Sequence, residues 1–120
     1  MKLSTEDLLK IEQVRSILET EYRHANTQSH LARRVSTNES KLRKGFKLVN
    51  NKTIYEYLIG VRIEKAKEML QTTDEPVKAI AIKVGYDVSN LVKQFKKTTG
   101  MAPLQWRKIN TPDGTHTFIH

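Results

Sequence analysis

The sequence predicts an all-α chain of about seven helices, arranged as two helix-turn-helix subdomains joined by a long linker helix. Three observations carry that expectation. Apolar residues recur at helical spacing through most of the chain without a convincing period-two stretch, capping residues punctuate these runs, and residues 31–57 align without gaps on residues 80–106.

The elements follow in order. In STEDLLKIEQVRSILETEYRH, Ser4 and Asp7 form a capping box, and Leu8, Ile11, Val14, Leu18 and Tyr22 recur on one helical face. A short second segment, Gln28 to Val35, precedes Asn38, a good N-cap, and a third helix with Leu42, Phe46 and Val49 as its apolar face. Asn50 and Asn51 should end it, because asparagine tolerates the left-handed conformation that closes helices. The long helix runs from about Thr53 to Gln71 with Ile54, Leu58, Val61, Ala66 and Leu70 inward. Asp74-Glu75-Pro76 then puts a proline at the first turn of the next helix. AIAIKVGYDVSNLVKQFKK, residues 79–97, reads as two helices meeting at Gly85, and PLQWRKI as a closing helix from Pro103. The expected divisions are 1–52, 53–72 and 73–109, with 110–120 as a flexible tail.

The repeat has a period of 49 residues, and its matches keep physical roles. Ala32 falls on Ala81, Val35 on Val84, Ser40 on Ser89, Leu42 on Leu91, Lys44 on Lys93, Phe46 on Phe95 and Lys47 on Lys96. Asn38 and Asp87 are both caps, Ser36 and Gly85 both small, Asn51 and Gly100 both terminators, and Tyr57 and Trp106 both large aromatics. A small residue at the point of closest approach, a small residue in the turn and an apolar residue six positions later form the steric pattern of a helix-turn-helix. One copy is weak evidence. Two in register are strong.

Composition limits the possible functions. A 120-residue chain with 28% charged residues and no apolar run near the roughly 18 residues of a membrane span is not expected in a membrane. The opening MKLSTEDLLK lacks a signal-peptide core, and zero cysteines exclude disulfides and thiolate chemistry, which fits a cytoplasmic setting. Residues 1–30 carry four Lys/Arg against five Asp/Glu, leaving 17 against 8 for the rest. The positive charge therefore lies in the repeats. On the second helix of each copy, Ser40, Lys41, Arg43, Lys44 and Lys47, and Ser89, Asn90, Lys93, Lys96 and Lys97, face outward with no acidic residue after the first turn. Short polar groups near a helix N-terminus can approach base edges, arginine can read guanine, and lysines neutralise phosphates. A helix of about 19 residues spans about 28 Å, close to the roughly 34 Å between successive major grooves. A single chain is thus expected to reach two half-sites of double-stranded DNA without dimerising.

These residues resemble the AraC-type transcriptional regulators over about residues 8–108. The resemblance rests on LARRVSTNESKLRKGFK, on RIEKAKEML with Arg62, Ala66 and Leu70, and most specifically on IAIKVGYDVSNLVKQFKKTTGMAPLQWR. Its ending matches F-K-K-x-x-G-x-x-P-x-x-[YW]-R from Phe95 through Arg107. The resemblance implies base reading by Ser40, Arg43, Lys44, Ser89, Asn90 and Lys93. Charge assigns Lys41, Lys47, Lys96 and Lys97 to phosphates, and RNA polymerase is a candidate second partner. Two departures stand out: one residue fewer between Gly85 and Phe95 than the family usually has, and Asn51 in place of its common glycine.

Catalysis has little support. His24, His30, His116 and His120 show no ligand spacing with carboxylates, and no cofactor or metal is expected. Trp106 is expected to anchor the core rather than stack on a base, and Arg62 and Arg107 fit either phosphate contact or pairing with a carboxylate or helix end. Two other readings stay open: an all-helical module whose basic faces dock an acidic protein, and a nonspecific nucleic-acid binder. Whether Met1 begins a stand-alone regulator or the chain is the DNA-binding end of a longer one is also open.

Overall fold

The computed structural model describes residues 1–111, and these form seven α-helices and no strand. They are α1 (Thr5–Thr20), α2 (Gln28–Arg34), α3 (Glu39–Asn50), α4 (Ile54–Thr72), α5 (Val77–Val84), α6 (Val88–Thr99) and α7 (Pro103–Ile109). The chain divides into two compact units between Val61 and Arg62, inside α4.

In the first unit the capping box forms as expected. Ser4 Oγ accepts from the Asp7 amide at 3.0 Å, and Asp7 Oδ2 accepts from the Ser4 amide at 2.9 Å. Ile11, Val14 and Leu18 of α1 join Leu31, Ala32, Val35, Leu42, Phe46 and Ile54 in one buried cluster. Two expected core residues do not join it. Leu8 is 45% exposed, because it lies about 60° around the helix from Ile11, away from Val14 and Leu18. Leu3, which precedes the helix, packs on the core instead. Val49 is 48% exposed in the last turn of α3, at the end of the buried stripe rather than within it. Gly45 is the residue that sequence spacing overlooked: a Cβ there would lie 2.9 Å from Ile11 Cδ1 and 3.3 Å from Leu3 Cδ2, so its bare backbone permits the close approach of α1. α1 ends at Thr20, short of Tyr22, with Thr20 Oγ1 donating back to the Ser16 carbonyl.

In the second unit Ile63, Ala66 and Leu70 of α4 are fully buried, as are Ile80, Ala81, Val84, Leu91 and Phe95. Ile63-Ala66-Leu70 has the same spacing as Ile11-Val14-Leu18, so each unit has a supporting helix before its pair. α4 therefore serves twice. Its first turns place Ile54, Tyr57 and Leu58 in or against the first core, and its later turns supply the second. Val61 is only half-buried, and Ile63 is a core position the spacing did not indicate. Pro76 takes the N-cap with extended backbone (φ −66°, ψ 153°), so α5 begins one residue later than expected, at Val77.

The two turns are close copies. The Thr37 amide donates to the Ala32 carbonyl at 2.9 Å, and the Tyr86 amide to the Ala81 carbonyl at 2.8 Å. Asn38 and Asp87 cap α3 and α6 at equivalent places, which puts Ser89 in the place of Ser40. Phe46 meets Tyr57 edge-on at 5.6 Å, and Phe95 meets Trp106 edge-on at 5.8 Å. Trp106 is thus a core anchor like Tyr57, whose hydroxyl also donates to Glu19 at 2.8 Å. Asn110 and Thr111 close α7 by donating to the Trp106 and Arg107 carbonyls. The remainder of the expected tail lies outside the described residues.

Among the described residues positive φ occurs at Ser36 (57°), Asn51 (56°), Gly85 (95°) and Gly100 (80°), two positions per unit. A residue with a Cβ is strained there by about 1–2 kcal/mol. Ser36→Gly should stabilise the fold by about 0.5–1 kcal/mol, and Gly85→Ala should destabilise it by about 1–2 kcal/mol. Thermal unfolding of both variants checks this, and shifts of the same sign would contradict it.

Candidate nucleic-acid interface

The candidate surface consists of the outward flanks of α3 and α6. Each helix buries one stripe, Leu42 and Phe46 or Leu91 and Phe95, and this fixes which residues face solvent. Ser40, Lys41, Arg43, Lys44 and Lys47 are all exposed, as are Ser89, Asn90, Lys93, Lys96 and Lys97. The caps set their order along the helix. Asn38 Oδ1 accepts from the Lys41 amide at 3.0 Å and Asp87 Oδ1 from the Asn90 amide at 2.7 Å, making Ser40 and Ser89 the second residue of each helix. Ser40, Lys44 and Lys47, and likewise Ser89, Lys93 and Lys96, then share one face at i, i+4 and i+7.

The two faces also differ in places. Lys41 corresponds to Asn90, Arg43 to the half-buried Val92, and the exposed Leu48 to Lys97. Asn90 is partly committed, since its Nδ2 donates to Asp87 Oδ2 at 3.3 Å. Lys41 is committed as well: its Nζ lies 3.0 Å from Asp7 Oδ1 of α1. The Asp7 carboxyl is held down at about 2, first by the Ser4 amide and then by Lys41.

Ion pairs take up part of the positive charge elsewhere in the protein. Lys10, Arg15, Arg34, Lys67 and Lys83 each lie against a carboxylate. Arg34 grips Glu21 with both terminal nitrogens, at 2.7 and 2.9 Å, which lowers the glutamate's pKa and raises that of the arginine. Among the described residues, Arg43, Lys44, Lys47, Lys93, Lys96 and Lys97 form no ion pair. Of these, Lys47 also acts on the Glu56 carboxyl, which the Thr53 amide and hydroxyl and nearby lysines hold below its usual range; cations without a paired carboxylate remain available to an external anion.

The two arginines whose roles the sequence leaves open both make contacts within the second unit. Arg62 is 9% exposed and lies over the Tyr86 ring, 4.9 Å from its centroid. Arg107 donates from Nε to the Leu70 carbonyl at 2.9 Å and from its second terminal nitrogen to the Thr73 carbonyl at 3.2 Å, capping the end of α4. Burial lowers the Arg107 pKa, with Asp74 and Glu75 opposing. Arg33 was not singled out from the sequence. It is exposed on α2 without an ion pair among the described residues, and because the repeat puts Ile82 in its place, no matched charge drew attention to it.

His24 and His30 are exposed, and His116 and His120 lie outside the described residues. Among the described residues no cluster of His, Asp or Glu could hold a metal ion, and no helix is long and apolar enough to cross a membrane.

The described architecture, two short-helix pairs each presenting a basic second helix, is that of a helix-turn-helix DNA-binding domain. A protein-family model described as a helix-turn-helix domain matches residues 31–109. The C-terminal domain of AraT, a response regulator from Geobacillus stearothermophilus, superposes with a TM-score of 0.83 at 25% identity, covering 92% of this chain and 90% of that one. The C-terminal domain of the two-component response regulator yesN from Fusobacterium nucleatum gives 0.75 at 33% identity, covering 80% and 95%. An uncharacterized HTH-type transcriptional regulator in the cgkA 5′ region of Pseudoalteromonas carrageenovora is 41% identical over 75 residues, 62% of this chain. This chain spans 44% of that relative's length. The chain belongs to the AraC-type helix-turn-helix family.

Arg107→Ala should lower stability by about 1–3 kcal/mol, because two carbonyls at the end of α4 lose their donor. Thermal unfolding measures the loss, and the salt dependence of DNA binding by the folded variant should match the wild type. A flattened salt slope would return Arg107 to the phosphate-contact reading.

Proposed function

We propose that this chain is a sequence-specific double-stranded DNA-binding transcription regulator of the AraC type that inserts α3 and α6 into adjacent major grooves. The observation that carries the reading is the pair of matched helix faces, each with a serine in its first turn and with lysines that have no carboxylate partner. In this reading Ser40, Arg43 and Lys44 of α3, and Ser89, Asn90 and Lys93 of α6, approach base edges. Lys47, Lys96 and Lys97 neutralise phosphates, and Lys41, given the same role by charge, does so only when it leaves Asp7. Arg43 fits guanine best, since its fork can donate to two acceptors on that base. The second unit has valine at the same place, so the two half-sites are expected to differ.

Two readers in one chain allow binding as a monomer. Specific contacts require no catalytic step and no cofactor. The setting is the cytoplasm, where duplex DNA and RNA polymerase, the candidate second partner, are both accessible.

Selection of duplex sites in vitro, followed by footprinting and Kd measurement at one salt concentration, tests the proposal. Two protected boxes about one helical turn apart, and a selected site bound far more tightly than scrambled DNA, are expected. A ratio near one would favour nonspecific nucleic-acid binding, and indifference between duplex and other polyanions would favour an acidic protein partner. Arg43→Ala should cost about 1–3 kcal/mol at particular base positions, whereas Lys97→Ala should weaken all sequences alike and flatten the salt slope by about one unit.

A further inference from the structure

We infer that Asp7 is a positioning residue for DNA binding: it holds Lys41 against α1 and thereby withholds one cation of the first unit from the phosphate backbone. The inference rests on the proposed placement of α3 against DNA.

The geometry fixes both partners of the ion pair. The Lys41 amide is bound to Asn38 Oδ1, so the lysine leaves α3 at a set place in its first turn. The Asp7 carboxylate is bound to the Ser4 amide through Oδ2, leaving Oδ1 for Lys41 Nζ at 3.0 Å. Asp7 has a side chain only 12% exposed, whereas the Lys41 side chain is 45% exposed. The carboxylate is therefore the anchored member, and the lysine is the one with access to solvent. α1 itself is tied to the helix-turn-helix at two further points. Lys10 Nζ donates to the Ser36 carbonyl in the turn at 2.8 Å, and Gly45 of α3 admits Ile11 and Leu3 at close range. Asp7 cannot move off Lys41 without displacing the first turn of α1.

The second unit has no equivalent. Aligning the supporting helices, Ile11 on Ile63 and Leu18 on Leu70, puts Ile59 in the place of Asp7. In the place of Lys41 stands Asn90, bound to its own cap. Lys93, Lys96 and Lys97 thus face outward with no anchored acid among them. A fixed carboxylate beside Lys41 neutralises it, so the first unit holds the backbone less strongly than its count of lysines implies.

The test compares wild type, Asp7→Asn, Lys41→Ala and the double variant on a selected duplex and on scrambled DNA across a range of salt. Asparagine keeps an oxygen for the Ser4 amide, so the cap of α1 persists. Asp7→Asn is expected to bind both DNAs about three- to tenfold more tightly near 0.1 M salt and to steepen the salt slope by about one unit. The double variant should match Lys41→Ala alone. A double variant that keeps the gain would assign it to bulk charge, and an Asp7→Asn chain that binds equally or more weakly would show that Lys41 is not withheld; either overturns the inference alone. Ser4→Ala separates a loosened helix from a freed lysine, since it weakens the same cap and leaves the carboxylate in place. Equal tightening by Ser4→Ala would also overturn it. A wild-type chain with no affinity for duplex DNA would overturn both this inference and the functional proposal.

Discussion

In each unit one main-chain hydrogen bond governs much of the rest: the Thr37 amide to the Ala32 carbonyl, and the Tyr86 amide to the Ala81 carbonyl. It closes a turn of four residues in the first unit and three in the second, and turns that short require a left-handed residue, Ser36 or Gly85. It also brings the helices together at an alanine, because a larger side chain at the crossing would hold them apart. Once the crossing is set, Leu42 and Phe46, or Leu91 and Phe95, have one way to reach the core. The outward flank of the second helix is then determined as well. The basic face is thus a consequence of a backbone constraint several residues away.

Much of this was legible because the signals were local or repeated. Asn38, Asp87 and Ser4 declare helix starts through hydrogen bonds that span three residues, and the 49-residue period carried caps, small residues and aromatics together. What the sequence concealed depends on tertiary placement. Leu8 and Val49 have helical spacing, but spacing reports neither the width of a buried stripe nor where it ends. Ile63 was hidden because α4 has one face for each core, and a single periodic reading averages the two. The pairing of Lys41 with Asp7 joins residues 34 positions apart on different helices, and charge counting cannot distinguish a paired lysine from an available one.

Both copies keep what builds the unit, and their outward faces keep Ser40 and Lys44 as Ser89 and Lys93 while varying beside them. Ala32, Val35, Leu42 and Phe46 recur unchanged as Ala81, Val84, Leu91 and Phe95, and their burial allows little else. Arg43 against Val92 and Lys41 against Asn90 lie outside the buried stripe of the same helices, where packing constrains the choice less. Under the proposed function this division leaves a common backbone-gripping frame with two separate base preferences. Asp7 adds a further asymmetry in the charge offered to DNA.

The double use of α4 has a consequence for how freely the chain can vary. One helix serves as the closing wall of the first core and the opening wall of the second, so the seven described helices do the work of eight. Its sequence must satisfy two cores at once: Ile54, Tyr57 and Leu58 answer to one, and Ile63, Ala66 and Leu70 to the other. Room for neutral substitution narrows to exposed positions such as Tyr55, Glu64 and Glu68. A helix that looks like a connector is in this respect among the least replaceable parts of the molecule.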